Sequence, residues 1–203
     1  MKKILFVMAM EKEAMQIATK LELQEIKQDT YKLFRKENIS LIIVGIGKQR
    51  TAINLTKYLE NNEKPDVIIN IGYAGSTDEK IGTWVNVNNS FNYEWQILDE
   101  EKYSILGLDK KILKSFDNIE NLPCYSAEAF VTSSNIKEKV LFDMELHSIY
   151  AICQMYNIEL ISLKKVSDNL CLDEYYKNIE RQNLELESSL EILNNIIKLP
   201  YAE

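Results

Sequence analysis

Histidine is almost missing from this sequence, with His147 alone among 203 residues. That scarcity removes most Ser-His-Asp and Cys-His schemes and every multi-histidine metal site, so acid-base chemistry must come mainly from carboxylates. Cysteine is scarce too. Cys124, Cys153 and Cys171 are odd in number and far apart, which gives neither a disulfide framework nor a zinc spacing, and they are expected to be buried or inert thiols. Positive charge is in deficit, with 24 Lys and Arg against 31 Asp and Glu and a net charge of -7. A nucleic-acid backbone is therefore not an expected partner, and a neutral or cationic small molecule suits the balance better. Long apolar runs are absent: none approaches the roughly 20 residues of a membrane-spanning helix. Met1 to Met10 has two lysines and a short apolar run, but it ends in Glu11-Lys12-Glu13 with no small-residue cleavage pattern, and it reads as a first strand rather than a signal peptide. The expectation is a soluble, cytoplasmic protein with no membrane partner. Gly45-x-Gly47 lacks the third glycine of a dinucleotide fingerprint, and no P-loop Gly-Lys-Ser/Thr follows it.

What is present is a chain 46% hydrophobic, enough for one sizeable core and one domain over residues 1–203. Its organising stretch is Lys64 to Thr77, where the β-branched run Val67 to Ile71 follows Pro65 and opens into glycines. The pattern predicts a buried parallel strand and then a tight loop at Gly72 to Thr77. Further strands are expected at Ile4 to Ala9, Tyr31 to Arg35, Ile39 to Val44, Ile81 to Phe91, Cys124 to Val131 and Ile158 to Val166. Helices are expected at Glu11 to Leu21, Gln49 to Leu59, Met144 to Tyr156 and, as one long amphipathic element with Asp173 near its cap, Asp173 to Ile197. Leu108, Ile112, Leu113 and Phe116 suggest a short helix, and Ser90 to Gly107 reads as a loop. Strands alternating with helices predict one α/β domain, with a central, mostly parallel sheet covered by helices on both faces. Loops that follow parallel strands share one rim, and ligands bind beyond it. The rim segments here are Ala9 to Glu13, Gly45 to Lys48, Gly72 to Thr77, Phe130 to Ser134 and Ser167-Asp168.

Singly, the rim acids have ordinary readings: Glu11 and Glu13 as first-turn acids favoured by the helix dipole, Glu145 as a solvated helix start, Asp168 as a turn residue. In order and spacing they say more. Ala9-Met10-Glu11-Lys12-Glu13, Gly45-Ile46-Gly47-Lys48, Asn70-Ile71-Gly72-Tyr73-Ala74-Gly75, Ala129-Phe130-Val131, Asp143-Met144-Glu145 and Val166-Ser167-Asp168 together resemble the 5'-methylthioadenosine/S-adenosylhomocysteine nucleosidases of the nucleoside phosphorylase superfamily. The resemblance runs from the first strand to the terminal helix.

The resemblance implies a nucleoside phosphorylase-like mixed sheet and cleavage of the N-glycosidic bond between adenine and a 5'-thio-substituted ribose. It assigns Asp168 as the acid that protonates the purine N7, with Ser167 positioning it, Glu13 as the base that activates water at C1', and Glu145 as the ligand of the ribose hydroxyls. The Val131 backbone would hold the adenine edge and Phe130 stack on the ring, while Gly75, Ala74, Met144 and Ala9 line the remainder. It implies no metal and no organic cofactor, a small-molecule purine nucleoside as the only ligand, and a homodimer. Superfamily phosphorylases carry phosphate-binding arginines where this sequence has Ala9 to Glu13 and Asn70, so water is the expected acceptor. Alternatives are a hydrolase of another purine nucleoside, futalosine-like, or a nucleoside-binding descendant without turnover. Four departures from the family pattern mark the site: Tyr73 for serine, Met8 and Ser76 for glycines, and Lys164 for an arginine beside the water and the ribose glutamate. The segment after Asp168 is also trimmed.

Overall fold

The structure is a computed structural model, and it describes residues 2–94, 111–112, 115–181 and 185–197. Its strands are β1 (Ile4–Met8), β2 (Gln24–Ile26), β3 (Lys32–Lys36), β4 (Ile39–Ile43), β5 (Val67–Ser76), β6 (Trp84–Asn92), β7 (Lys111–Ile112), β8 (Glu120–Ser126), β9 (Leu141–Asp143) and β10 (Glu159–Asp168). Its helices are α1 (Glu11–Lys20), α2 (Lys48–Asn61), α3 (Leu146–Tyr156), α4 (Leu172–Tyr176) and α5 (Ser189–Ile197), with a π-helical turn at Lys177–Arg181. No described helix is long and apolar enough to cross a membrane.

All ten strands belong to one mixed sheet. β1 lies parallel between β4 and β5, and β5 also pairs in parallel with β10. The far end of β5 pairs antiparallel with β9, which continues through β8 and β6 back to β10, so β5, β9, β8, β6 and β10 close a ring of strands. Both faces of the sheet are covered by helices. On one, Leu55, Tyr58 and Leu59 of α2 and Ile149, Tyr150 and Cys153 of α3 cover Leu5, Val7 and Ile68. On the other, Ala14, Ile17 and Ala18 of α1 and Leu190 and Leu193 of α5 cover Phe6, Met8 and Ile69. Cys124 and Cys153 are buried free thiols, and Cys171 is a half-buried one.

Several expected elements differ. Gly72 to Ser76 is strand rather than loop, because Gly75 and Ser76 find backbone partners in Phe142 and Leu141 of β9, which lies far away in sequence. β8 stops at Ser126, leaving Ala127 to Val131 outside any strand, and β10 runs on to Asp168. Ile112 pairs in a short strand with β6 instead of joining a helix. Leu108, Leu113 and positions 95–107 of the expected loop lie outside the described residues, while Ser90 to Asn92 belong to β6. β2 was not expected, since all three of its residues are exposed and leave no burial pattern to read. The long terminal helix is broken: α4 ends at Tyr176, where the buried Asn178 amide donates to the Ser167 carbonyl (2.7 Å) and Lys12 Nζ donates to the Ile179 carbonyl (2.7 Å). These tertiary bonds hold the π turn against the end of β10.

Candidate active site

The carboxyl ends of β1, β5 and β10 are adjacent, and the segments leaving them surround a cavity of about 190 Å³. Of the residues singled out in the sequence, Ala9, Glu13, Ala74, Gly75, Phe130, Met144, Glu145, Ser167 and Asp168 line it. Val131 lines a smaller adjoining recess together with Phe130, Gly75 and Asp168. All ten therefore meet in one place.

Glu13 reaches the cavity from the first turn of α1. One carboxylate oxygen accepts the Met10 N–H (3.1 Å), as a first-turn acid should, and the other accepts the Tyr73 N–H of β5 (3.3 Å). The helix-capping reading thus holds, and the same side chain also lines the cavity. Burial pushes its pKa up to about 7, against the opposing pull of the Lys164 charge and the backbone donors.

Asp168, the last residue of β10, is fully buried, and its Oδ2 accepts the Ser167 hydroxyl (2.7 Å) while Oδ1 accepts the Cys171 N–H (3.2 Å). Burial raises its pKa above the usual carboxylate value, with those donors pulling the other way. The Ser167 hydroxyl also lies 3.2 Å from the Ala74 carbonyl. With one proton to give, it turns to the carboxylate when Asp168 is ionised and is free to turn to the carbonyl when Asp168 carries its own proton. Gly75 is required here: a Cβ on it would stand 2.9 Å from Asp168 Oδ1.

Glu145, at the N-terminus of α3, is buried and accepts the Gly47 N–H (2.9 Å), so the glycine loop expected near the rim ties down a carboxylate. Gly47 has a φ of 97°, which L side chains rarely adopt. Burial, then the Asp143 charge, raises the Glu145 pKa.

Asp143 and Lys164 complete the cluster, and sequence reasoning gave the pair no joint role. Lys164 Nζ lies 2.7 Å from Asp143 Oδ2, and both side chains are buried. Asp143 also accepts the Ser126 hydroxyl (2.5 Å) and the Leu146 N–H (3.0 Å). Burial opposes the charge on Lys164, but the surrounding anions, Asp143 first, outweigh it and hold its pKa above the ordinary lysine value. Glu13 Oε1 and Lys164 Nζ approach within 3.4 and 3.7 Å of the point a Cβ would occupy on Gly72, so one ammonium serves Asp143 and faces Glu13. Replacing Lys164 by Met leaves Asp143 buried without its cation. Urea unfolding should show a loss of about 3–5 kcal/mol, with Lys164→Arg losing much less.

The remaining departures sort out differently. Met8 is fully buried in the core beneath α1 and does not line the cavity. Tyr73 does line it, but its ring is buried and its hydroxyl is hydrogen-bonded to Gln16 of α1; burial pushes its pKa up to about 12. Leu172, at the end of the trimmed segment Asn169 to Leu172, and Tyr175 and Tyr176, from the start of the expected terminal helix, form a wall of the cavity, which periodicity could not have revealed. Among the described residues, those lining the cavity include Glu13, Asp143, Glu145 and Asp168 and no lysine or arginine. Glu13 sits beside Gly72 and Asp168 beside Gly75, three residues further along β5, so the two acids enter the cavity at different points of that strand. No group of described side chains is suited to hold a metal ion.

Comparison with known proteins gives a consistent set of likenesses. No family model matches the chain. It is 28% identical over 211 residues to the 5'-methylthioadenosine/S-adenosylhomocysteine nucleosidase of Buchnera aphidicola subsp. Acyrthosiphon pisum (strain Tuc7), across 86% of this chain and 90% of that protein. Among solved structures, the fold superposes on the apo 5'-methylthioadenosine nucleosidase of Arabidopsis thaliana with a TM-score of 0.82 at 18% identity, over 98% of this chain and 97% of that one. The Neisseria meningitidis 5'-methylthioadenosine/S-adenosylhomocysteine nucleosidase bound to methylthio-immucillin-A gives 0.80 at 18%, over 98% and 99%. A Helicobacter pylori futalosine hydrolase mutant gives 0.79 at 15%, over 97% and 99%.

Proposed function

We propose that this chain, a member of the 5'-methylthioadenosine/S-adenosylhomocysteine nucleosidase family, hydrolyses the N-glycosidic bond of an adenine nucleoside to adenine and a thio-substituted ribose. The observation that carries the reading is a single cavity bearing three buried carboxyl groups of raised pKa, Glu13, Glu145 and Asp168, with no cationic side chain lining it among the described residues.

Asp168 is the acid. Its raised pKa favours the protonated form that can give a proton to the purine N7, so that adenine leaves as a neutral base. Glu13 is the base. With a pKa of about 7 it is substantially ionised at neutral pH and yet basic enough to take a proton from water attacking C1'. Glu145 binds the ribose hydroxyls. The Glu13 carboxylate, once ionised, favours the positive charge that develops on the sugar as the bond to the base lengthens. Lys164 is kept from cancelling that field by its direct pairing with Asp143. Phe130 faces the base, and the Val131 backbone holds its edge.

Water rather than phosphate is the acceptor in this reading. An anion would meet Glu13 at the face where it must attack, and Asn70, in the place of a phosphate-binding arginine, spends its amide on the Val7 carbonyl (3.0 Å) and accepts the Ser162 hydroxyl (3.0 Å). The test is adenine release from methylthioadenosine in phosphate-free buffer. Release at full rate without phosphate is expected; a requirement for phosphate would make the protein a phosphorylase, and no release would leave a binding protein. The homodimer and the cytoplasmic location belong to the same reading and rest on the family resemblance.

A further inference from the structure

The cavity holds one neutral hydroxyl that the proposed reaction does not use. Tyr175, half-buried on α4, points its phenol into the cavity, and its one hydrogen bond among the described residues goes to the Met10 thioether sulfur (3.7 Å), a weak acceptor. Its ring is held edge-on against Phe130 (centroids 5.4 Å apart) and Tyr176 (5.5 Å), so the hydroxyl is aimed before a ligand arrives. Burial first, then the charges of Glu13 and Glu145, raise its pKa above the ordinary tyrosine value, so it stays a proton donor. The other hydroxyls of the lining are engaged or wet: Tyr73 with Gln16, Ser167 with Asp168, and Tyr176 half exposed at the mouth.

An adenine nucleoside has few acceptors left for such a donor. On the nucleosidase reading, which this inference rests on, Asp168 and Val131 take the base and Glu145 takes the diol edge of the ribose. The opposite edge of the ring carries the 5' carbon, and the lining left to receive it is Met10, Ile46, Phe142, Leu172, Tyr175 and Tyr176, in which the tyrosines alone carry hydroxyls. A hydrogen bond to the ring oxygen on that edge would oppose the developing positive charge, whereas one to a 5' heteroatom would not. We propose that Tyr175 is a specificity-determining residue whose hydroxyl donates to the heteroatom on the 5' carbon, so that the site also accepts 5'-hydroxyl adenine nucleosides and disfavours those, such as 5'-deoxyadenosine, with no 5' heteroatom. A thioether sulfur at that position accepts the same bond more weakly.

Adenine release from adenosine, 5'-deoxyadenosine and methylthioadenosine by the natural protein and by Tyr175→Phe tests this. Phe keeps the ring contacts and removes only the donor. Its kcat/KM for adenosine should fall about three- to tenfold, the size of one net neutral hydrogen bond, while that for 5'-deoxyadenosine holds within about twofold. Equal losses on both substrates, or no loss on either, would reduce Tyr175 to packing and overturn the inference while leaving the nucleosidase intact. Cleavage of methylthioadenosine with none of adenosine would do the same. No release from any of the three would bring down the nucleosidase reading and this inference with it.

Discussion

Asp168→Asn should lower adenine release by about 10²- to 10⁴-fold while leaving the protein folded and able to bind adenine. Asparagine has the same shape: its one oxygen can accept the Cys171 N–H, and its amide can donate to the Ser167 hydroxyl oxygen once that hydroxyl turns to the Ala74 carbonyl. What it lacks is an acidic proton. The loss should therefore fall on kcat, with KM little changed, because the missing interaction is made only as the base departs. Single-turnover measurement of adenine release, beside the near-UV spectrum of the folded variant, checks this. Activity within about tenfold of the natural protein would remove Asp168 from the role of acid.

Glu13→Gln should abolish turnover to a similar degree and, unlike the first variant, change stability in a pH-dependent way. The sign follows from proton counting. The Glu13 pKa is about 7 in the folded chain against an ordinary 4.5, so between those values the folded protein holds a proton that the unfolded chain has released. Stability therefore falls as pH rises from about 4.5 to 7 and levels off above. Glutamine removes that slope. The variant should be more stable than the natural protein at pH 8, by about 1–3 kcal/mol once the loss of an acceptor for the Met10 N–H is set against the relief of a buried charge. Near pH 4 it should have no such advantage. Thermal melts at the two pH values give the comparison directly. A stability gain that is the same at both would mean that Glu13 is not carrying a raised pKa. In the natural enzyme the same titration should appear as an acid limb in kcat/KM near pH 7, where Glu13 ionises to act as base.

Both residues are identifiable in the sequence, but not for the same reason as the fold. Ile4 to Met8, Val67 to Ile71 and Leu160 to Val166 declare strands through a local property, short runs rich in β-branched and other apolar residues, unbroken in the first and interrupted by Asn70 in the second and by Ser162, Lys164 and Lys165 in the third. That property survives whatever the neighbours are. The acids carry no such local mark. Glu13 looks like any first-turn glutamate, and it is one, since it caps its own helix through the Met10 N–H. Its second role depends on Tyr73, sixty residues away in sequence. Only the joint order of six short segments, matched to a family, singled it out together with Asp168 and Glu145.

Where the sequence misled, a distant partner was responsible. The glycines after Ile71 read as a turn because glycine disfavours strands in isolation, yet β9 supplies the ladder that keeps them extended, and Gly75 is needed to admit the Asp168 carboxyl. Asp173 to Ile197 has the periodicity of one helix, but Asn178 and the Ile179 carbonyl find tertiary partners that break it, and that break sets α4 across the cavity.

By itself, then, the sequence determined the alternation of strands and helices, the rim on which ligands bind, and the acids that stand there, because runs of apolar residues and their spacing act over a few residues. The tertiary structure decided the electrostatics of the site. Burial raised the pKa values of Glu13, Glu145 and Asp168, Lys164 was committed to Asp143, and Tyr175 was brought into the cavity wall. Each of these depends on which groups lie within a few ångströms once water is excluded, and that is fixed by packing between segments far apart along the chain.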